Sequence, residues 1–304
     1  MAEQGRGLTT DAVSEALRPA ARAGRSRFSL AWLGTLPFLA YAFAFLFLPA
    51  GDVLVGAFKG EKGGWTFSNI SGLFHQPYLG AFQNSIELSA VTAAIGGLGG
   101  LLLAYAAIRE GTPRWIRSML TTFSGVAANF GGIPLAFAFI ATLGAIGIVT
   151  QFFRNQLHWD LYQHGFNLFT KTGVEIVYLY FQLPLMVLVI SPAIDGLRRE
   201  WREAAANLGA RPLQFWRYVG IPVLMPSLLG AFILLFGNAF AAYATAYSLG
   251  YQNVIPVIIG AYINGNVLAN PHFAQAMALG MFVILGVMMA LYVPLQRRAA
   301  RWVK

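Results

Sequence analysis

His158, Asp160 and His164 form the densest cluster of metal-binding side chains in the sequence. Their spacing matches neither the i, i+4 pairing of a helical site nor another recurrent ligand pattern, so the trio reads as loop polarity and no metal is expected. The sequence has no cysteine, which excludes disulfides, thiolate chemistry and Cys-based zinc or iron–sulfur centres. It contains no G-x-x-x-x-G-K-S/T, G-x-S-x-G or H-E-x-x-H, so neither ATP binding through a P-loop nor nucleophilic or zinc hydrolysis is supported, and no cofactor is implied. The remaining candidates are polar residues at helical spacing along apolar stretches. Glu175, Tyr178 and Gln182 fall at i, i+3 and i+7 on one helix face. Asn238, Ala241, Thr245 and Ser248 make a polar and small face, and Asn84 and Glu87 share another. Two carboxylates near aromatic rings would suit a cation, by charge and by ring-face attraction. The competing reading is that Glu87 and Glu175 sit near helix ends, where water solvates them and a helix start welcomes negative charge.

The elements that carry these residues are apolar. Hydrophobic residues make up 57% of the chain and charged residues 11%, and the mean hydropathy is +0.59. A soluble domain carries about 25% charged residues, so this balance describes an all-α integral membrane protein. An uncharged run over 28–51 follows a polar tail over 1–27 and reads as a retained signal anchor. Further apolar stretches cover Leu88–Ile108, Ser118–Phe153, Ile176–Ile194, Tyr218–Pro271 and Phe273–Gln296. The stretch from Ser118 is long for one helix and short for two, and its Asn129–Pro134 segment, NFGGIP, predicts a broken span followed by an interfacial piece. The stretch from Tyr218 predicts a span to about Tyr247, then an outer loop over 249–272 with a short interfacial or re-entrant helix.

Six spans place both termini on one side, and the charges test that arrangement. Seventeen of the Lys and Arg residues fall in the segments then cytoplasmic, against Lys59, Lys62, Arg154 and Lys171 on the other side. That asymmetry obeys the positive-inside rule. The net charge of +9 therefore reflects topology, and no nucleic-acid partner is implied. Gly96, Gly100 and Ala104, four residues apart, allow close helix approach in lipid.

One charged segment interrupts this chain: REWREAAANLGARPLQFWRYVGIP, from Arg199 to Pro222. Leu197, Trp201, Ala204 and Leu208 form an apolar stripe on a short helix. Gly209 suits the left-handed residue that ends it, and Pro212 the first turn of a second short helix carrying Leu213, Trp216 and Val219. The segment resembles the EAA loop of ABC-importer permeases, whose pattern is E-A-A, three residues, Gly, nine residues, then I-x-L-P. Glu203, Ala204, Ala205 and Gly209 match, and Val219-Gly220-Ile221-Pro222 closes the pattern with Val for Ile and Ile for Leu. The wider likeness covers about 28–297, with a basic tail over 298–304, and is nearest to the spermidine/putrescine branch through Ile133–Gly144 and Arg199–Ala210.

The resemblance implies a six-helix permease domain in a bacterial cytoplasmic (inner) membrane, with a coupling loop at about 196–222 that docks in an ATPase. It implies a second permease subunit, homologous or identical, two cytoplasmic ATPase subunits and an extracytoplasmic solute-binding protein, all in contact with membrane lipid. Glu203, Ala204, Ala205, Gly209, Val219 and Pro222 would couple to the ATPase, and Glu87, Glu175, Tyr178, Gln182, Asn238 and Thr245 are the candidates for the solute route. A polyamine is the expected solute, with iron(III), phosphonate or thiamine as alternatives. The chain itself would catalyse no reaction. A standalone channel would have no need of the Gly- and Pro-spaced loop, and a membrane enzyme should cluster His, Asp and Glu at an interface.

Overall fold

The computed structural model describes residues 34–60, 63–108, 111–264 and 270–300. The expected polar tail over 1–27 therefore lies outside the described residues, as do 28–33 of the first apolar run and 301–304 of the basic tail. The chain divides after Gly51 into two compact units. Helix α1 (Leu36–Gly56) supplies the described part of the first unit and runs five residues beyond the expected limit at Gly51. It contains one π-type turn, Phe43–Phe47, and exposes Phe38, Tyr41, Phe45 and Phe47. A helix apolar on all sides is a lipid-facing element.

The second unit contains α2 (Ser68–Gly72), α3 (Tyr78–Ile108), α4 (Arg114–Asn129), α5 (Gly132–Leu143), α6 (Ile148–Gln156) and α7 (Lys171–Asp195). It continues through α8 (Arg199–Asn207), α9 (Pro212–Phe240), α10 (Ala244–Ser248), α11 (Ile255–Ile263) and α12 (Pro271–Ala300). No strand occurs among the described residues. Six stretches are long and apolar enough to cross a membrane, as the sequence predicts.

Several boundaries differ from the sequence reading, each for a local reason. Helix α3 starts at Tyr78, ten residues before Leu88, so Glu87 lies in its third turn rather than at its mouth. Hydropathy missed that extension because Gln83, Asn84 and Glu87 dilute it, although Gln and Glu are good helix residues. Helix α9 begins at Pro212 and is unbroken to Phe240, with a π-type turn at Trp216–Gly220. The expected second surface helix is thus the base of the span itself. The same helix stops seven residues before Tyr247.

The Ser118 stretch is a broken span, as expected, interrupted at Phe130–Gly131. Gly131 is extended and Gly132 has φ +69°, a conformation cheap only for glycine. Pro134 falls in the first turn of α5, where its missing N–H costs no helix bond. The 12 residues of α5 reach roughly 18 Å of a roughly 30 Å core, and the apolar stretch long enough to cross runs on from α5 to Gln156. Both halves contact α7. Arg117 of α4 pairs with Asp195 at one end of α7. Phe130 and Phe139 both pack edge-on against Tyr180 in its middle. The end of α5 is held by the loop before α7, where the Tyr162 hydroxyl donates to the Leu143 carbonyl at 3.0 Å. Beyond Gly144, α6 turns off as the expected short extra helix.

The central seam joins α3 to α7. A Cβ on Gly96 would stand 2.6 Å from Gln182 Cβ, and one on Gly100 2.5 Å from the Leu183 carbonyl oxygen. Ala104 is fully buried. In lipid such contact gives van der Waals packing rather than a hydrophobic gain, which is why small residues mark the seam. Helix α11 folds back, burying Ile255, Pro256 and Val257 against α3 and α12. The buried Ser85 hydroxyl accepts from the Ile255 N–H at 2.9 Å and pins its start.

Candidate functional site

Two helix breaks meet at the head of the bundle. One is the Asn129–Gly132 gap between α4 and α5; the other is the Ala241–Tyr243 gap between α9 and α10. Between them lies a cleft of about 280 Å³. Asn129, Asn238, Tyr243 and Thr245 give it polar edges, and Phe181 and Gly131 the rest of its wall. Thr245 ties the breaks together: its Oγ1 accepts from the Gly132 N–H at 3.0 Å. Each break leaves backbone polar groups that must be satisfied inside the membrane, and non-helical backbone at that depth is tolerated where it lines a cavity. A more open groove of about 430 Å³ adjoins the cleft through Ala241 and Tyr243 and is bounded by Pro256, Ile259 and Met281.

The six residues proposed for a solute route separate into three groups. Asn238 and Thr245 line the cleft. Tyr178 and Gln182 do not; they are 1% and 0% exposed. The Tyr178 hydroxyl donates to the Ala242 carbonyl at 3.0 Å and the Gln182 amide to the Leu235 carbonyl at 2.9 Å. Both therefore hold the end of α9 from behind the cleft. The helical spacing of these residues was read correctly, but their face turns into the bundle core. Glu87 and Glu175 lie apart from the cleft, beside Lys171, which forms an ion pair with Glu87. Both carboxylates and Lys171 also act on Tyr251, whose phenol is pushed above its usual value by burial first, with Glu175 and Glu87 adding to the effect against Lys171. The two acids thus share one patch with a tyrosine, as expected, but a lysine stands among them. Phe181 and Tyr243 were missed; the paired breaks NFGGIP and NAFAAYAT were the signal for them.

The expected trio in the loop does not converge as metal ligands, and no metal-binding group of three such residues occurs among the described residues. Asp160 instead pairs with Arg154 at 2.8 Å. Burial opposes its charge, but the hydrogen bond from Arg154 and the N–H of Tyr162 hold its carboxyl below the usual value.

At the opposite end of α7, α8 carries the charged segment. Gly209 has φ +77°. Its N–H bonds the Ala206 carbonyl and the Ala210 N–H the Ala205 carbonyl, each at 2.9 Å, the paired pattern of a Schellman turn. Pro212 then opens α9, with the Gln214 side chain accepting from the Arg211 N–H at 2.7 Å. Within α8 no residue is buried. Leu208 is 88% exposed, and Glu203 and Ala204 are exposed with it, whereas Ala205 is half-buried. The apolar stripe is consequently split, with Trp201 partly covered and Ala204 and Leu208 presented outward. Glu203 pairs with Arg199 at 2.7 Å. Val219 and Pro222 are half-buried at the base of α9, where the Trp216 ring lies so close over Gly220 that a Cβ there would be 2.6 Å away.

Residues 159–301, which hold α8 and its capped turn, match the family described as "binding-protein-dependent transport system inner membrane component". That stretch belongs to this family of ABC-importer permeases. Among curated relatives, the chain is 25% identical over 191 residues to a probable sulfate transport system permease protein, cysT, of Helicosporidium sp., covering 60% of this chain and 66% of the relative. It is 23% identical over 241 residues to the spermidine/putrescine transport system permease protein PotB of Haemophilus influenzae, covering 75% and 78%. It is 29% identical over 185 residues to the trehalose transport system permease protein SugB of Mycobacterium tuberculosis, covering 60% of each. The matches span 55–66% of the first three curated relatives. Across 88% of this chain the fold is that of a chain from a bacterial ABC transporter involved in alginate import, at a TM-score of 0.69 and 18% identity.

Proposed function

We propose that this chain is the transmembrane permease subunit of an ATP-driven importer, and that α8 is where the ATPase acts on it. The observation that carries the reading is the construction of α8. An exposed helix bearing Glu203, Ala204 and Leu208 is closed by a Gly209 turn and joined through Pro212 to a continuous span. A push on α8 is thereby delivered to α9, whose far end forms the cleft. In this reading α8 and both termini face the cytoplasm of a bacterial cell. Two ATPase subunits dock on α8 and its counterpart in a second permease, and an extracytoplasmic binding protein delivers solute at the other face. Bond chemistry belongs to the ATPase. Co-purification tests the assembly: an ATPase subunit captured by the intact chain and lost with Glu203→Lys supports it, whereas reproducible absence of any ATPase would favour a channel.

A polyamine of the spermidine or putrescine class is the proposed solute. Glu87, Glu175 and Tyr251 offer a shared acidic and aromatic patch, the described cleft has no Lys or Arg to hold a sulfate-like anion, and PotB is among the relatives. The absence of any charged side chain from the cleft favours, as a second reading, a neutral hydroxyl-rich solute. Substrate-stimulated ATPase of the reconstituted complex separates these. Stimulation by putrescine that weakens in Glu175→Gln supports the polyamine, and stimulation by a disaccharide alone replaces it.

A further inference from the structure

A second cavity lies where the charged segment meets the bundle, and the transport reading leaves it without a role. It measures about 170 Å³ and is enclosed by the ends of α3 and α7 and the start of α8 and α9. Tyr105 and Trp216, edge to face with centroids 4.9 Å apart, make one wall. Arg199, Arg202 and Asp195 supply its charge. Asp195 is engaged by Arg117, and Arg199 bonds Glu203. The Arg202 guanidinium lies 5.9 Å from the Phe215 ring centroid. No side chain caps the start of α8, so its positive end adds to the field, offset in part by Glu200 in the first turn.

With Asp195 engaged by Arg117, the two guanidiniums of the lining favour an anion. A guanidinium carries five N–H donors in a fork, so each arginine can accept a phosphate without surrendering its other contacts. The apolar part of the lining, including Leu197, would serve no purpose for a free phosphate but suits the glycerol and first methylenes of a lipid. Aromatic side chains with one wet edge and basic pockets between spans are characteristic of the headgroup layer.

We propose that this cavity binds the phosphate of an anionic phospholipid, with Arg202 and Arg199 as its ligands and the Tyr105–Trp216 wall as its seat. A lipid held there bridges the start of α8 to the ends of α3 and α7, and so couples the stiffness of the ATPase-facing helix to membrane composition. The proposal rests on the membrane-spanning reading and is independent of the solute.

Lipid retention by the intact chain, measured by native mass spectrometry with phosphatidylglycerol or phosphatidylcholine added, is the test, because it reads binding without requiring transport. Phosphatidylglycerol should be retained about fivefold to tenfold more than phosphatidylcholine, given the strength of a basic side chain near an anionic surface. Arg202→Gln should remove most of that preference, and Leu197→Trp should do so with every charge in place by filling the cavity. Arg217→Gln, outside the cavity lining, should preserve it. Equal retention of the two lipids, or a preference untouched by both cavity variants, overturns the proposal. So does full displacement by millimolar glycerol 3-phosphate, which would assign the site to a soluble phosphate.

Discussion

The two ends of the bundle solve different problems with different bonds. At the head, the cleft is made by tertiary contacts between segments more than a hundred residues apart, as in the Thr245–Gly132 bond at 3.0 Å. At the base, α8 is made by bonds between neighbours: a glycine turn, a proline start and an i, i+4 ion pair. The Thr245 tie at the head is buried and cannot change without disturbing its packing, whereas α8 at the base is exposed and can be gripped by a partner. In the proposed function the head would meet the solute as a shaped cavity and the base would serve the ATPase as a handle with its own local stability.

The largest test of that contrast is Glu203→Lys. It should leave the chain inserted and folded, since α8 buries nothing, yet lower uptake by about tenfold or more, as expected for reversing a charge at a docking contact. Uptake at the normal rate would show that the base is not the handle. Gly100→Leu should act oppositely, lowering thermal stability in detergent by about 1–3 kcal/mol through overpacking of the α3–α7 seam. Loss of uptake would then follow the loss of folded protein. Thr245→Val should destabilise by about 1 kcal/mol, within the cost of an unpaired buried N–H, and should change solute-stimulated ATPase more than basal ATPase. An equal effect on both would make Thr245 purely structural. The smallest effect belongs to Asp160→Asn. The native Asp160 carboxyl titrates below its usual value, so its contribution is present at neutral pH and is lost as pH falls through that lowered value. Hydrogen exchange of the 157–166 loop should show the variant looser than the parent at pH 7 and equal to it in strong acid.

How much could be read in advance follows the same division. Gly209 and Pro212 were legible because a Schellman turn and a proline-started helix are dictated by residues within a few positions of one another. The break at NFGGIP was legible for the same reason. Tyr178 and Gln182 were assigned to one face correctly, but periodicity does not say whether a polar face meets water or a neighbouring backbone. In a membrane span that distinction is hidden, because the apolar background is nearly uniform. Glu87 was placed too near a helix end because hydropathy marks where a stretch becomes greasy, not where helical hydrogen bonds begin.

The sequence by itself determined that the chain is a set of apolar helices, how unevenly its basic residues are distributed between them, and where the Gly209 turn and the Pro212 helix start fall. These follow from composition, charge asymmetry and local backbone chemistry, all of which act over short distances along the chain. Only the tertiary structure decided that two helix breaks face each other, that Tyr178 and Gln182 are buried with hydrogen bonds to carbonyls at the end of α9, and that Arg202 looks onto a cavity beside Trp216. Those facts depend on which helices pack together. That choice is made by shape and hydrogen-bond satisfaction across the bundle, which no short stretch of sequence contains.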